Sequence, residues 1–144
     1  MDPIDDLGTD PILLIDDHDD TRDLLVELLE LDGFTVIAAA SGAEALALAR
    51  EHKPCVVLLD LGLPDIDGLE LVLRLRAEPN TKNAAVYALS GFTNLRTAAL
   101  AAGIDGFLIK PVLASELRGI VARHCETPPP PSMVAPPLPT PPIA

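Results

Sequence analysis

The 144-residue sequence is poor in aromatic residues, with three Phe, one Tyr and no Trp. A core without large rings has to be built from Leu, Val, Ile and Ala, and the apolar content of 49% supplies enough of them. Together, the length and the composition suit one domain with an additional tail.

Several kinds of segment are missing from the sequence. It has no run of about 18 apolar residues, so we expect no membrane insertion. Its first ten residues are acidic, unlike the basic start of a secretory signal peptide. The two cysteines, Cys55 and Cys125, suggest neither a disulfide framework nor a metal motif. We therefore expect Cys55 to act as a small apolar residue in a reducing, cytoplasmic setting.

Basic residues are scarce in the first half of the sequence. Residues 1–72 contain 18 acidic and 3 basic side chains, whereas residues 73–144 contain 4 acidic and 7 basic ones. A formal net charge of −12 should repel nucleic acid, so we expect no direct nucleic acid binding. The acidic half suits a divalent cation or a basic partner, although most of these charges need serve only solubility.

Apolar runs predict five strands. Two uninterrupted runs, at 11–15 and 55–59, are typical of strands buried on both faces of a parallel sheet. Further strands are predicted at 34–38, 84–89 and 104–109.

Helical segments alternate with these strands. The first places Leu24, Leu25, Leu28, Leu29 and Leu31 on its apolar side. The others are predicted from the cap at Ser41 to about His52, and at 67–76, 93–102 and 113–124. The helix at 93–102 carries one charge and much Ala and Leu, so it either docks a partner or packs tightly on the sheet. Strict alternation predicts a doubly wound α/β fold, (βα)5, with a parallel sheet.

Polar residues follow the carboxyl ends of four predicted strands. Asp16 and Asp17 follow the first strand, Asp60 the third, Ser90 the fourth and Lys110 the fifth. Because ligands of such sheets bind at this edge, we expect the five side chains to converge there. The carboxylates suit Mg²⁺, and the lysine and serine suit the oxygens of a phosphoryl group. Asp60 remains as the nucleophile that would form an aspartyl phosphate.

Four motifs carry these residues: Ile12-Leu13-Leu14-Ile15-Asp16-Asp17, Leu58-Leu59-Asp60 with Leu63-Pro64 and Gly68 behind it, Ala88-Leu89-Ser90-Gly91, and Phe107-Leu108-Ile109-Lys110-Pro111. Because of these motifs, residues 11–125 resemble the receiver domains of bacterial two-component response regulators. The resemblance implies a flavodoxin-like strand order of 2-1-3-4-5. We expect a flexible acidic N-terminus at 1–10, a receiver domain at 11–126, and a proline-rich disordered tail or linker at 127–144.

The resemblance implies a function for the acidic site. Asp60 would accept a phosphoryl group from a histidine kinase or a histidine phosphotransfer protein. The Mg²⁺ ligands would be Asp17, Asp60 and the backbone carbonyl of Gly62, with Asp16 helping through a water molecule. Such a receiver is not an enzyme for other substrates, because it catalyses only its own phosphorylation and dephosphorylation.

The resemblance also implies a switch. Ser90 and Phe107 take the switch positions, and the Lys110–Pro111 peptide bond is expected to be cis. Gly62, Gly91 and Phe92 would border the phosphoryl group.

Phosphorylation would reshape the surface of the fourth helix, fifth strand and fifth helix. A downstream protein target, a linked output domain or a second copy of the chain would bind this surface.

Two alternatives stay open at this point. A phosphohydrolase of the haloacid dehalogenase type also forms an aspartyl phosphate, but it needs a second Asp where this sequence has Gly62. A pseudo-receiver would bind partners without phosphate, and the complete set of polar residues argues against it.

Overall fold

The computed structural model describes residues 10–125, which fold around one parallel sheet. The strands are β1 (Ile12–Ile15), β2 (Val36–Ala39), β3 (Val56–Asp60), β4 (Ala85–Ser90) and β5 (Gly106–Ile109). They lie in the order β2-β1-β3-β4-β5 with parallel pairing throughout. The predicted doubly wound fold is therefore confirmed. The two expected tails lie outside the described residues, except for residue 10.

Within residues 10–125, five helices cover the two faces of the sheet. They are α1 (Asp19–Leu31), α2 (Gly42–Glu51), α3 (Gly68–Ala77), α4 (Arg96–Ala102) and α5 (Ala114–His124). One apolar cluster joins the sheet to α2, α3 and α4, and the other joins it to α1 and α5. Neighbouring residues of β1 enter opposite clusters, as Leu13 and Leu14 show, because successive strand side chains point to opposite faces.

Two carboxylates fix the second half of the loop between β3 and α3. Asp67 caps α3 by accepting a hydrogen bond from Leu69 N–H, 2.9 Å away. Asp65 accepts hydrogen bonds from Gly42 N–H (3.0 Å) and Ala43 N–H (3.1 Å), the first two amides of α2. These backbone donors, Gly42 first, lower the pKa of Asp65 despite an opposing desolvation. The loop that follows Asp60 is therefore attached to a neighbouring helix.

Two details of the helices differ from the expectation. Leu24 and Leu31 of α1 were placed on its apolar side, but they are 55% and 68% exposed, because the sheet covers only a narrow stripe of the helix. Helix α4 begins at Arg96 rather than at residue 93, and it buries only Ala99. Most of α4 therefore faces solvent.

The expectation for the two cysteines is wrong. Cys55 and Cys125 form a disulfide with their Cα atoms 5.3 Å apart. Cys55 immediately precedes β3 and Cys125 immediately follows α5, so the doubly wound topology brings together two residues that lie 70 positions apart. This proximity depends on how α5 packs, which no local pattern in the sequence reveals.

Among the residues that the structure describes, no helix is long and apolar enough to cross a membrane.

Candidate functional site

The candidate site is built on the ends of two adjacent strands. Asp60 is the last residue of β3, and Asp16 directly follows Ile15, the residue of β1 that pairs with Leu59. Asp16 is 0% exposed and Asp60 is 4% exposed, so both carboxylates lie below the surface. Asp17 is only partly buried.

Lys110 follows β5 and reaches the same carboxylates. Its Nζ atom lies 3.1 Å from Asp60 Oδ2 and 3.7 Å from Asp16 Oδ2. Its backbone N–H donates a hydrogen bond to the Ser90 carbonyl at 2.8 Å, and its peptide bond to Pro111 is cis. The sheet therefore brings a cation next to two buried anions.

Backbone amides hold two of the polar side chains in place. Gly62 N–H donates to Asp60 Oδ1 at 2.9 Å, and Phe92 N–H donates to Ser90 Oγ at 3.1 Å. Ser90 ends β4, is 7% exposed and follows Leu89, the partner of Asp60 in the sheet register. In this hydrogen bond the Ser90 oxygen is the acceptor, so the hydroxyl hydrogen of Ser90 remains free to donate to another group.

The remaining predicted positions surround this centre at different depths. A Cβ atom at Gly62 would lie 3.5 Å from Asp60 Oδ1, so any larger side chain there would border the carboxylate. Gly91 and Phe92 are exposed. Phe107 is partly buried against the cluster on the α2, α3 and α4 face, opposite Ala88.

Three carboxylate oxygens in this site are buried and accept no hydrogen bond within residues 10–125: Asp16 Oδ2, Asp17 Oδ1 and Asp60 Oδ2. Buried polar atoms are normally hydrogen-bonded, and an exception calls for a bound ion or ligand. The three carboxylates and Lys110 give a formal charge of −2. Hard oxygen donors with this charge fit a divalent cation such as Mg²⁺.

Two residues outside the predicted set of ligands and phosphoryl-binding groups lie at the site. His18 Nδ1 lies 3.2 Å from Asp16 Oδ1 and 3.3 Å from Asp17 Oδ1. Arg22 donates to the Asp16 carbonyl (2.9 Å) and to Asp19 Oδ1 (2.6 Å), and the bond to Asp19 contributes most to raising its pKa. The position of His18 directly after two aspartates was the available signal.

Comparison with known proteins agrees with this geometry. Residues 12–122 match the family model described as the response regulator receiver domain. An uncharacterized 14.6 kDa protein of Leptolyngbya boryana is 38% identical over 121 residues, which cover 83% of this chain and 92% of the relative. The transcriptional regulatory protein PrrA of Mycobacterium tuberculosis is 39% identical over 106 residues, or 74% of this chain. The matched residues make up 46% of PrrA, so the chain matches about half of that relative.

Solved structures give the same result. The chemotaxis protein CheY4 of Vibrio cholerae has a TM-score of 0.76 and 28% identity, covering 81% of this chain and 99% of that one. The receiver domain of a sensor histidine kinase from Pseudomonas aeruginosa, with a magnesium ion in its active site cleft, has a TM-score of 0.75. It is 28% identical, covering 81% and 98% of the two chains. The fold, the acidic pocket of Asp16, Asp17 and Asp60, and these matches agree: the chain belongs to the response regulator receiver domain family.

Proposed function

We propose that this domain is a phosphorelay receiver in which Asp60 accepts a phosphoryl group from a phosphohistidine donor. The observation that carries the proposal is the convergence of three carboxylates and Lys110 at the carboxyl edge of the sheet, where buried oxygens lack hydrogen bonds. The donor would be a histidine kinase or a histidine phosphotransfer protein. The proposal places the domain in the cytoplasm together with that donor.

The transfer is a single displacement at phosphorus. The Asp60 carboxylate attacks phosphorus and an O–P bond forms, while the P–N bond of the phosphohistidine breaks. The other ring nitrogen of the donor carries a proton taken from water, so the imidazole leaves in its neutral form. Lys110 is positioned to offset charge on the transferred oxygens, and the Ser90 hydroxyl has a hydrogen left to donate. Gly62 N–H keeps the carboxylate oriented before the donor arrives.

The site also suits a cation as its cofactor. Asp17, Asp60 and the Gly62 backbone carbonyl would hold Mg²⁺, with Asp16 assisting through water, and the buried oxygens that accept no hydrogen bond within residues 10–125 support this assignment. The relative from Pseudomonas aeruginosa holds magnesium in its active site cleft. When bound, the ion neutralises charge on the carboxylates and on the incoming phosphoryl group.

An apolar groove beside the site supports docking of the donor. It has a volume of about 460 Å³ and is lined by residues that include Leu24, Leu25, Pro111 and Val112. Lys110 also lines it, so a protein seated in the groove would lie next to the phosphoryl-accepting centre. This arrangement gives the exposed Leu24 a role that packing on the sheet does not.

The output surface would be formed by α4, β5 and α5. Phosphorylation would draw the Ser90 hydroxyl towards the phosphoryl group and let Phe107 turn inward. The equilibrium between the inactive and active conformations of this surface would then shift towards the active one. Leu95, Leu100, Ile109 and Leu113 are exposed there, as expected for a docking face. A downstream protein, a linked output domain or a second copy of the chain would bind it.

The two alternatives are not favoured. A phosphohydrolase would need a general acid two residues after the nucleophile, and that residue is Gly62. The complete set of five polar residues, including the ion pair between Lys110 and Asp60, argues against a pseudo-receiver. The proposed chemistry is therefore limited to the domain's own phosphorylation and dephosphorylation.

The test is incubation with acetyl phosphate and Mg²⁺, followed by intact-mass measurement. Wild type should gain one phosphoryl group, Asp60→Asn should gain none, and the exposed Asp20→Asn should behave as wild type. A phosphoryl group that persists in Asp60→Asn would contradict the proposal.

A further inference from the structure

The ring of His18 is turned towards the acidic site, where its Nδ1 is hydrogen-bonded to Asp16 Oδ1 at 3.2 Å. His18 is the N-cap residue of α1, yet its side chain makes no capping hydrogen bond. Its backbone N–H donates to Asp16 Oδ1 at 2.9 Å, and its ring turns towards the acidic site. The imidazole is therefore available to act in the site, although most of the ring is exposed.

The position of Nδ1 matches that of a metal ligand. It lies 3.3 Å from Asp17 Oδ1 and 3.9 Å from Asp60 Oδ2, the two carboxylates that are assigned to the cation. Around an octahedral ion with bonds of about 2.1 Å, neighbouring donors are about 3 Å apart and opposite donors about 4.2 Å apart. Together with Asp16, these residues form a group of four, Asp16, Asp17, His18 and Asp60, in which one donor atom from each lies within 4.8 Å of all the others.

A second observation points to an ion in this cluster. Asp16 Oδ2 and Asp60 Oδ2 are buried and accept no hydrogen bond from the described part of the chain. Lys110 lies near both of these oxygens, but it balances only one of three carboxylate charges. A neutral imidazole adds a donor without changing the formal charge of −2 that suits a divalent cation.

We propose that His18 is a nitrogen ligand for the divalent cation of this site. It takes the place of one water molecule and shifts the cation preference from Mg²⁺ towards first-row transition ions such as Mn²⁺ and Co²⁺. Mg²⁺ prefers oxygen donors and keeps its water, whereas imidazole nitrogen strengthens the binding of transition ions. The inference rests on the proposed function, because both concern the same cation site.

The direct test is pulsed electron paramagnetic resonance on Mn²⁺ bound to the whole chain. Wild type should show modulation from a nitrogen nucleus coordinated to the ion. His18→Phe keeps a ring of similar size without a donor and removes no capping bond, and it should lose this signal. His52→Ala removes a histidine outside the site, at the end of α2, and should keep it.

Calorimetric titrations with Mg²⁺ and Co²⁺ measure the shift in preference. His18→Phe should lower Co²⁺ affinity at least about tenfold, since loss of an outer-shell partner already has an effect of this size. Its Mg²⁺ affinity should change little. Unaltered Co²⁺ affinity, or equal losses for both ions, would overturn the assignment of His18.

The outcomes separate the two proposals. If wild type binds Mg²⁺ and takes up a phosphoryl group but shows no nitrogen coupling, only the role of His18 fails. If wild type binds neither ion, the cation site of the proposed function fails with it.

Discussion

Lys110 Nζ lies 3.1 Å from Asp60 Oδ2, although Asp60 ends β3 and Lys110 follows β5, two strands that are separated by β4 in the sheet. The lysine crosses the carboxyl edge to reach the carboxylate, and its position depends on the hydrogen bond from its amide to the Ser90 carbonyl. A cation held over a buried anion is suited to stabilise charge that develops on a transferred group.

Replacing this lysine should separate phosphoryl acceptance from cation binding. Lys110→Met should slow phosphorylation by acetyl phosphate about a hundredfold, the loss typical of one preorganised electrostatic group. Mg²⁺ affinity should stay the same or rise, because the change removes a positive charge from the cation site. Rates and affinities can be measured on the same preparation, and a parallel fall in both would contradict the assigned role.

The disulfide should contribute to stability through the loop that it closes. Cys55 and Cys125 are separated by 70 residues, for which the chain-entropy model gives about 4 kcal/mol. The double variant Cys55→Ser, Cys125→Ser should lose up to that amount of unfolding free energy in urea titrations. Reduced wild type is the matched control and should unfold close to the double variant. If oxidised and reduced wild type are equally stable, the crosslink contributes nothing.

The carboxylate of Asp65 should make stability depend on pH in acid. The α2 amides lower its pKa in the folded state, so its contribution is complete above the unfolded value of about 3.9. That contribution is lost as the pH falls through the lowered folded value. The gap in unfolding free energy between wild type and Asp65→Asn should therefore narrow from about pH 4 downwards. A gap for Asp65→Asn that stayed constant or widened in acid would contradict this explanation.

Two glycines provide a matched test of packing. A Cβ atom at Gly106 of β5 would collide with the ring of Tyr87, whose hydroxyl is hydrogen-bonded to His124 Nε2 at 2.9 Å. Gly106→Ala should destabilise the fold by about 1–3 kcal/mol, as overpacking commonly does. A Cβ atom at Gly119 of α5 would meet nothing within 4 Å, so Gly119→Ala should stabilise by about 0.5–1 kcal/mol. Thermal or urea unfolding measures both, and equal effects would contradict the packing argument.

The parts of the fold that follow a strong local pattern could be predicted. The uninterrupted apolar runs predicted β1 and β3, and parallel pairing then brought Asp16 and Asp60 to the same edge. The prediction for β2 began too early, at residue 34. Phe34 instead closes the end of α1, where its N–H donates to the Leu29 carbonyl.

Contacts that depend on packing at a distance could not be predicted. Arg76 stabilises the turn before β4 by donating to the carbonyls of Thr81, Lys82 and Ala84, and it pairs with Asp105 at 2.8 Å. The disulfide and the capping of α2 by Asp65 are of the same kind. In each case the partner is chosen by the assembled sheet and helices, and the sequence offers many equivalent candidates.

The role of Asp60 is the central claim, and borohydride trapping tests it most directly. An aspartyl phosphate is reduced by borohydride to homoserine, which peptide mass spectrometry locates in the chain. After treatment with acetyl phosphate and Mg²⁺, we predict homoserine at position 60 and at no other carboxylate. Homoserine at a different aspartate, or at none while the protein carries a phosphoryl group, would contradict the account.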